Sequence, residues 1–450
     1  MKINHFLLLS FLFGFAPIKA QQVTNFSLKE AIEMALKNSN EINLANTKAE
    51  GKKLELQNLK NNYYPDFKVS GQYMRLTSAK INSKLSSGNN PEDEPSSGSP
   101  AKINQLVLAQ ANTTLPLFSG FKLKNSINAS ENLYKAELAK SAQTKEEIAL
   151  HVVQQYANLY QTQKSVNLIT DNLKSAQQRV LDFKNLEQNG IIPRNDLLKA
   201  QLQESKIQLS LDEAIKNVSV INYSLITLLK LPEDYKIGID ETQFGTIMPE
   251  NSIKNEENAI ANRKDLESLR FTQKAGESNI KVAKSAYYPS LAFIGGYTYL
   301  DLKNAITVSN AMNFGLGISY DLSSIFKNAT AVKAAKNRLN EIKQSEAILS
   351  DNIKIQVQQA IENYNLALKQ SSVYEQAITQ ASENFKIVKD KYDNGLSNTT
   401  DLFEADAEQL NSKINQTLSR ANILLRYYEI QAVSGQLTQS FNLPIAIGAK

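Results

Sequence analysis

Tyr63-Tyr64-Pro65 closes a helical stretch, and Tyr287-Tyr288-Pro289 does the same 224 positions later. Each copy opens one string of signals. Two alternating, strand-like segments come first, then a very long polar helix. A glycine turn (Gln188-Asn189-Gly190; Asp393-Asn394-Gly395) and a further helix follow. The chain thus reads as a duplicated helix–strand–strand–helix unit, mostly α with a smaller β part. Gly190 and Gly395, Asp196 and Asp401, Leu197 and Leu402, and Ala200 and Ala405 all lie 205 positions apart. The 19-position difference between the two spacings falls between the strands of the first copy, where an exposed loop tolerates insertion.

Composition narrows the class. Lys2, the apolar run Phe6 to Phe15 and the small Ala20 before Gln21 read as a signal peptide over residues 1–20. That run falls short of the roughly 20 apolar residues a spanning helix needs, and no later segment reaches that length. Cysteine is absent, which excludes disulfides, thiolate metal sites and a lipid-modified cysteine. Of the two histidines, His5 leaves with the signal and His151 stays. Without Lys2 and Lys19 the formal charge falls from +5 to +3, and the cations alternate with anions along helices. No nucleic-acid stripe follows from that pattern. With no phosphate-cradling glycine loop and no convergent carboxylate–nucleophile set, the chain reads as no enzyme, with no catalytic, cofactor or metal site.

Four segments alternate with period two. In the cleanest, Phe314, Leu316, Ile318, Tyr320 and Leu322 share one face, and Asn313, Gly315, Gly317, Ser319 and Asp321 share the other. The expected strands are about 66–77 and 105–117 in the first copy, and about 290–302 and 309–322 in the second. Each is close to the length of a tilted transmembrane strand. The small, polar face suits a barrel lumen. Tyrosines at positions 63, 64, 287, 288, 297 and 299 suit a membrane-interface girdle. Small barrels need about eight strands, so four cannot close. Open edges in hydrocarbon leave backbone groups unsatisfied at several kcal/mol each, so strands in a membrane imply a homo-oligomer. Residues 78–104, rich in Ser, Gly, Pro and Asn, read as a mobile external loop.

From about Lys122 to Asn189 and from about Lys327 to Asn394 there is neither Pro nor Gly. Each stretch predicts a rod of roughly 100 Å at 1.5 Å per residue. Val332, Ala335, Leu339, Ile342, Leu349 and Ile353 carry a 3-4 spacing, resumed by Tyr374, Ile378, Ala381, Phe385, Val388 and Tyr392. That is a coiled-coil seam. Shorter helices are expected at about 39–64, 194–230, 264–288 and 398–435. Gly190 and Gly395 fit helix-terminating turns. Pro193 suits the first turn of the next helix, and Asn398 with Asp401 reads as a capping pair. The layout expected is a first repeat over 21–230, a linker over 231–262, a second repeat over 263–435 and a tail over 436–450.

These residues carry a resemblance to the TolC family of outer-membrane efflux proteins across essentially the whole mature chain. They are the two Tyr-Tyr-Pro helix ends, Leu115-Pro116-Leu117-Phe118-Ser119-Gly120, and the turn motifs Asn195-Asp196-Leu197-Leu198-Lys199-Ala200 and Thr400-Asp401-Leu402-Phe403-Glu404-Ala405. Ala259 to Leu266 is similar to the family's start of its second half. Phe121 stands where the family often has a second glycine, and Asp321-Leu322-Ser323-Ser324 is a weakened second copy of the Leu-Pro-Leu-Phe-Ser-Gly motif.

The resemblance implies a homotrimer whose three chains each give four strands to a 12-stranded outer-membrane barrel, continued by a periplasmic helical barrel. It implies an exit duct in the outer membrane of a Gram-negative bacterium, with most of its mass in the periplasm. The duct would be served by a periplasmic adaptor (membrane fusion) protein and an inner-membrane pump of RND or ABC type. Matching by the glycine turns, the family's constriction falls on Asp196, Tyr392, Asp401 and Glu404, and Ser397 replaces a basic partner. Asp401 and Glu404 share a helix face, so a threefold axis would stack them as two carboxylate rings that attract cations. The competing architecture is a periplasmic coiled-coil adaptor or scaffold without a pore, which would leave the four alternating segments in water.

Overall fold

The structure, a computed structural model, describes residues 23–80, 102–245 and 256–442. The expected signal peptide, most of the expected external loop and the last residues of the tail lie outside the described residues. The chain divides into two units: one takes residues up to Asn43, Ala142–Arg263 and Ile353 onward, the other Leu44–Ser141 and Lys264–Asn352. The helices α3 (Lys122–Gln188) and α7 (Ser324–Asp393) each contribute their first turns to the second unit and the rest to the first. At 67 and 70 residues they match the proline- and glycine-free stretches. Along α7, the seam residues Val332, Leu339, Ile353 and Ala381 are buried.

The second unit holds the sheet. Its strands are β2 (Asp66–Lys80), β3 (Lys102–Ser119), β5 (Ser290–Leu302) and β6 (Ile306–Ser319), antiparallel in the order β2-β3-β5-β6. β2 and β3 run further toward the loop than expected, and β6 starts and stops three residues early. Tyr320 and Leu322 therefore lie past the strand. The reason is a tight β5–β6 turn in which Asn304 is left-handed (φ +68°) and Ala305 N–H donates to Leu302 O at 2.9 Å. A bulge opposite Tyr299 places Asn310 left-handed as well, restoring the alternation beyond it.

Register aligns the apolar residues. Val69 pairs with Ala111, Ala111 with Tyr297, and Tyr297 with Met312. Opposed residues in a ladder share a face, so Phe67, Val69 and Tyr73 join Phe293, Tyr297, Phe314 and Leu316 on one side. This side is open in the chain: Val69 is 87% exposed, Phe314 85%, Ile318 74% and Leu316 69%. Ser70, Gln72, Gln110, Asn112, Thr298 and Asn313 fall on the other. Tyr297, expected in a girdle at the rim, sits mid-strand in the row of Val69 and Met312.

β3 hands over to α3 through Pro116, where the ladder slips one residue because proline has no N–H to give. Gly120 (φ +61°) and Phe121 (φ +62°) then turn left-handed in succession. At the matching handover from β6 to α7 no residue takes a positive φ. Asp321 Oδ1 instead accepts from Ser323 N–H at 2.9 Å and Ser323 Oγ at 2.7 Å ahead of α7. These bonds hold the Asp321 carboxyl below its ordinary value. The weakened motif is thus a different turn with the same task. A Cβ on Gly120 would run into Ser285 O. Gly120→Ala is expected to cost about 1–3 kcal/mol from backbone strain alone, with steric cost added. Gly190→Ala, at a similar φ but in open space, is its control, and thermal unfolding should show the larger drop for Gly120→Ala.

The remaining elements of this unit are most of α2 (Asn40–Asn61), α6 (Lys264–Lys284) and a 3-10 turn (Ser285–Tyr287). Gly276 on α6 lets Leu339 and Ile342 of α7 approach, a Cβ there meeting Leu339 Cδ1 at 3.2 Å. Asn328 Nδ2 donates to Ala283 O at 2.7 Å, tying the start of α7 to the end of α6.

The first unit has elements that the pattern did not forecast. Strand β1 (Val23–Phe26) pairs in parallel with β4 (Lys236–Ile239) inside the expected linker, which also holds a 3-10 turn (Glu241–Gly245) and α5 (Glu256–Asn262). Tyr156 of α3 pins this pair: its hydroxyl donates to Phe26 O at 2.6 Å and accepts from Asp240 N–H at 3.1 Å. Burial pushes that phenol far up from its ordinary value. Helix α1 (Leu28–Asn38) opens on a capping box between Ser27 and Glu30. It buries Leu28, Ile32 and Ala35 against Val152 of α3 and against Leu225 and Leu229 of α4 (Arg194–Leu229). The described part of the expected tail is not loose. After α8 (Thr399–Val433), the short α9 (Leu437–Ser440) receives the buried Glu146 carboxylate on the N–H groups of Leu437 and Thr438.

Candidate functional site

The two glycine turns fall in the first unit and close by the same bonds. Gly190 (φ +69°) and Gly395 (φ +72°) are left-handed. Gly190 N–H donates to Glu187 O and Ile191 N–H to Leu186 O, both at 2.9 Å. Gly395 N–H donates to Tyr392 O at 2.9 Å and Leu396 N–H to Lys391 O at 2.8 Å. These reversed bonds satisfy carbonyls that a helix end would orphan.

Re-entry into the next helix differs between the copies. Asn398 caps α8, its side chain accepting from Thr400 and Asp401 N–H at 2.9 and 3.0 Å. Pro193 occupies the cap position of α4 itself, with φ −73° and ψ 150° and no side-chain bond. The expectation had put it in the first turn; its extended ψ moves the first helical residue to Arg194.

Asp401 Oδ2 accepts from Ser397 Oγ and from Asn398 Nδ2, both at 3.0 Å. Ser397, standing in a basic residue's place, therefore bonds the same carboxylate without neutralising it. Glu404, one turn further along α8, is exposed and has no hydrogen bond or ion pair among the described residues. Asp196 is half-buried, with Lys199 Nζ at 3.4 Å. Tyr392 is raised above its ordinary value by burial, with the Asp196 and Asp393 carboxylates adding to it. Asp196, Tyr392, Ser397 and Asp401 line one cleft of about 660 Å³. Glu404 is not part of that lining.

Behind Tyr392 lies a contact that sequence reasoning missed. Its ring stacks on Phe183 of α3 (centroids 5.8 Å apart, planes at 15°), and Phe183 stacks on Phe403 of α8 at 6.3 Å. The Arg179 guanidinium lies 5.6 Å from the Phe403 ring centre. Its Nη1 meets Asp406 Oδ2 at 3.1 Å, and Asn172 Nδ2 bonds the same carboxylate at 3.4 Å. Asp406 and Arg179 side chains are only 6% and 14% exposed. One signal could have exposed the pair. Asp406 follows Leu402 by four residues, so helical period places a charge on the buried face.

In the second unit, Tyr63, Tyr64 and Tyr288 are exposed where helices hand over to the sheet, and Tyr287 is half-buried. No described helix is long and apolar enough to cross a membrane. Among the described residues no cluster of His, Cys, Asp or Glu has metal-site geometry.

Comparison with known proteins places this geometry. The family model described as outer membrane efflux protein matches residues 31–229 and 256–436, one block per repeat. The outer membrane protein TolC of Vibrio cholerae serotype O1 is 20% identical over 334 residues, covering 72% of this chain and 76% of that one. A membrane protein from Pseudomonas aeruginosa superposes with a TM-score of 0.79 at 12% identity, over 92% of this chain and 91% of that chain. The Campylobacter jejuni CmeC outer membrane channel does so with a TM-score of 0.75 at 18% identity, over 91% of this chain and 86% of that chain. The fold is thus that of the solved outer-membrane channels, and the two matched blocks follow the internal duplication. The chain belongs to the outer membrane efflux protein family.

Proposed function

We propose that this outer-membrane efflux protein acts as a homotrimeric exit duct. It would passively conduct substrates that an inner-membrane pump, of RND or ABC type, hands over through a periplasmic adaptor, in a tripartite efflux or type I secretion system. The observation that carries the reading is the incomplete sheet. Among the described residues β2 pairs only with β3 and β6 only with β5, so both outer strands offer unpaired backbone. One face of that sheet is apolar and open. In hydrocarbon each unpaired backbone group costs several kcal/mol, which joining β6 of one protomer to β2 of the next removes. Three copies complete a closed barrel of 12 strands.

In this arrangement Tyr63, Tyr64, Tyr287 and Tyr288 form the periplasmic-side aromatic girdle. Gly190 and Gly395 mark the tunnel tips, and Asp196, Tyr392, Ser397, Asp401 and Glu404 lie at the constriction. Imaging of detergent-extracted particles tests the assembly. The expected result is a threefold tube that dissociates only on strong denaturation; a monodisperse monomer in mild detergent overturns it.

A further inference from the structure

The alternation of cations and anions along the helices breaks down at one level, where four helix ends of the second unit meet the sheet. α2 and α6 carry Lys60 and the pair Lys281 and Lys284 in their last turns, while α3 opens with Lys122 and Lys124 and α7 with Lys327. No Asp or Glu stands in any of these terminal turns. Beside them, Asp66 is paired with Lys68 at 3.1 Å, and Asp321 is held by its own turn. The level thus holds seven lysines and two aspartates, a net +5 where the whole mature chain carries +3. All six helix-end lysines are exposed, and none has a hydrogen bond or ion pair among the described residues. We propose that this lysine collar binds anionic phospholipid headgroups of the membrane leaflet that faces the periplasm. The proposal rests on the duct reading, which sets this end of the helices at the membrane surface.

Three of the ends converge. Gly120 packs against Ser285 O, Ser324 Oγ donates to Ala286 O at 2.8 Å, and Asn328 Nδ2 donates to Ala283 O at 2.7 Å. Lys122, Lys124, Lys284 and Lys327 therefore start within a turn or so of one junction, where like charges repel. Lys122, Lys124 and Lys327 also oppose their own helices. They sit in the first turns of α3 and α7, at the positive end of the helix dipole, with no acidic residue to offset them. A surface that brings negative charge relieves both conflicts. Apolar rings identify that surface as lipid rather than an acidic peptide. Phe121 and Phe326, 57% and 84% exposed, precede Lys122 and Lys327 directly, and Tyr64 and Tyr288 stand open at the other two handovers. A ring with a lysine beside it fits the boundary between acyl chains and headgroups, the ring in the apolar layer and the ammonium among the phosphates.

Lipid retention tests this. Full-length protein is reconstituted in vesicles of equal phosphatidylglycerol and phosphatidylcholine, extracted in mild detergent, and its bound lipid counted by mass spectrometry. The expected result for wild type at low salt is roughly ten-fold enrichment of phosphatidylglycerol, falling toward parity as salt rises. The triple variant Lys122→Gln, Lys124→Gln, Lys327→Gln should hold the two lipids nearly equally. The control Lys206→Gln with Lys216→Gln, two exposed lysines of α4 in the first unit, should match wild type. Equal retention by the wild type overturns the collar and leaves its lysines to an acidic protein partner. So does an enrichment that the triple variant keeps. Should the triple variant fail to assemble, wild type alone decides: an enrichment indifferent to salt is not electrostatic and overturns the proposal. Displacement of the lipid by inorganic phosphate, but not by chloride of equal ionic strength, would make this a free-anion site and overturn the lipid assignment. Wild type that never enters the vesicles overturns the duct reading and the collar with it, whereas an inserted protein without lipid preference overturns the collar alone.

Discussion

Lysines at positions 314, 316 and 318 together are expected to keep the chain out of the outer membrane. Phe314, Leu316 and Ile318 occupy alternate positions of β6 on the apolar face, each largely exposed in the chain. A lysine facing lipid costs about 2–4 kcal/mol at the bilayer midplane and about 0–1 near the interfaces. Three along one strand span several depths, so the total is about 4–10 kcal/mol. That compares with the whole stability of an ordinary domain, about 5–15 kcal/mol. The control is the pair Asn313→Lys and Ser319→Lys on the opposite side of the same strand, which a polar lumen accepts with little change. Membrane fractionation and heat-resistant trimer bands provide the measurement. Exclusion of the triple variant with normal insertion of the control is the expected outcome. Equal behaviour of the two sets would mean that this face does not meet lipid, and the barrel reading would fail with it.

This asymmetry was legible in β6, where large apolar residues alternate with Gly, Asn and Ser. In β3 it was not. The residues of β3 on that same face are Val107, Ala109, Ala111, Thr113 and Leu115, mostly small residues that alternate only weakly with Leu106, Leu108 and Gln110. Their side is fixed by the neighbouring strand: Ala111 opposes Tyr297 and Ala109 opposes Tyr299, so small residues receive large ones across the ladder. A single strand cannot reveal that. The β1–β4 pair was hidden for another reason. Four-residue strands carry too little periodicity to read, and Val23 and Lys236 meet across more than two hundred residues. Long helices were plain because every turn repeats the same signal and no Pro or Gly intervenes. Contacts between those helices were not, since Arg179 and Asp406 each look like one more charge on a charged helix until α3 and α8 are brought together.

The tip shows the same division. The glycine turns and the Asn398 cap follow from local chemistry and appear as read. The candidate gate residues share a neighbourhood by sequence alone, but their bonds depend on packing. Tyr392 turns toward Phe183, Asp196 toward Lys199, and Asp401 toward its own cap. Glu404 keeps no partner among the described residues, which makes it the least compensated carboxylate of the set.

Neutralising Glu404 should accordingly change ion selectivity more than neutralising Asp401. In the proposed trimer the two positions supply six carboxylates around one axis. A cation about 10 Å from each gains about 0.4 kcal/mol per charge in water, and screening near one Debye length reduces that to about 0.15. The six together contribute about 0.9 kcal/mol, roughly a four- to five-fold preference for cations over neutral passage. Asp401 already spends acceptor capacity on Ser397 and Asn398 at 3.0 Å each, and removing its charge also weakens the α8 cap, by about 0.3–1 kcal/mol. Glu404→Gln leaves the cap untouched. The double variant Asp401→Asn with Glu404→Gln is expected to bring the cation-to-anion permeability ratio close to one, with Glu404→Gln alone accounting for more than half of the change in reversal potential. Both shifts should shrink as the salt concentration rises, because an exposed carboxylate ring is screened. A reversal potential that stays fixed in the double variant, at low salt and with wild-type conductance, would show that these side chains do not face the permeating ions.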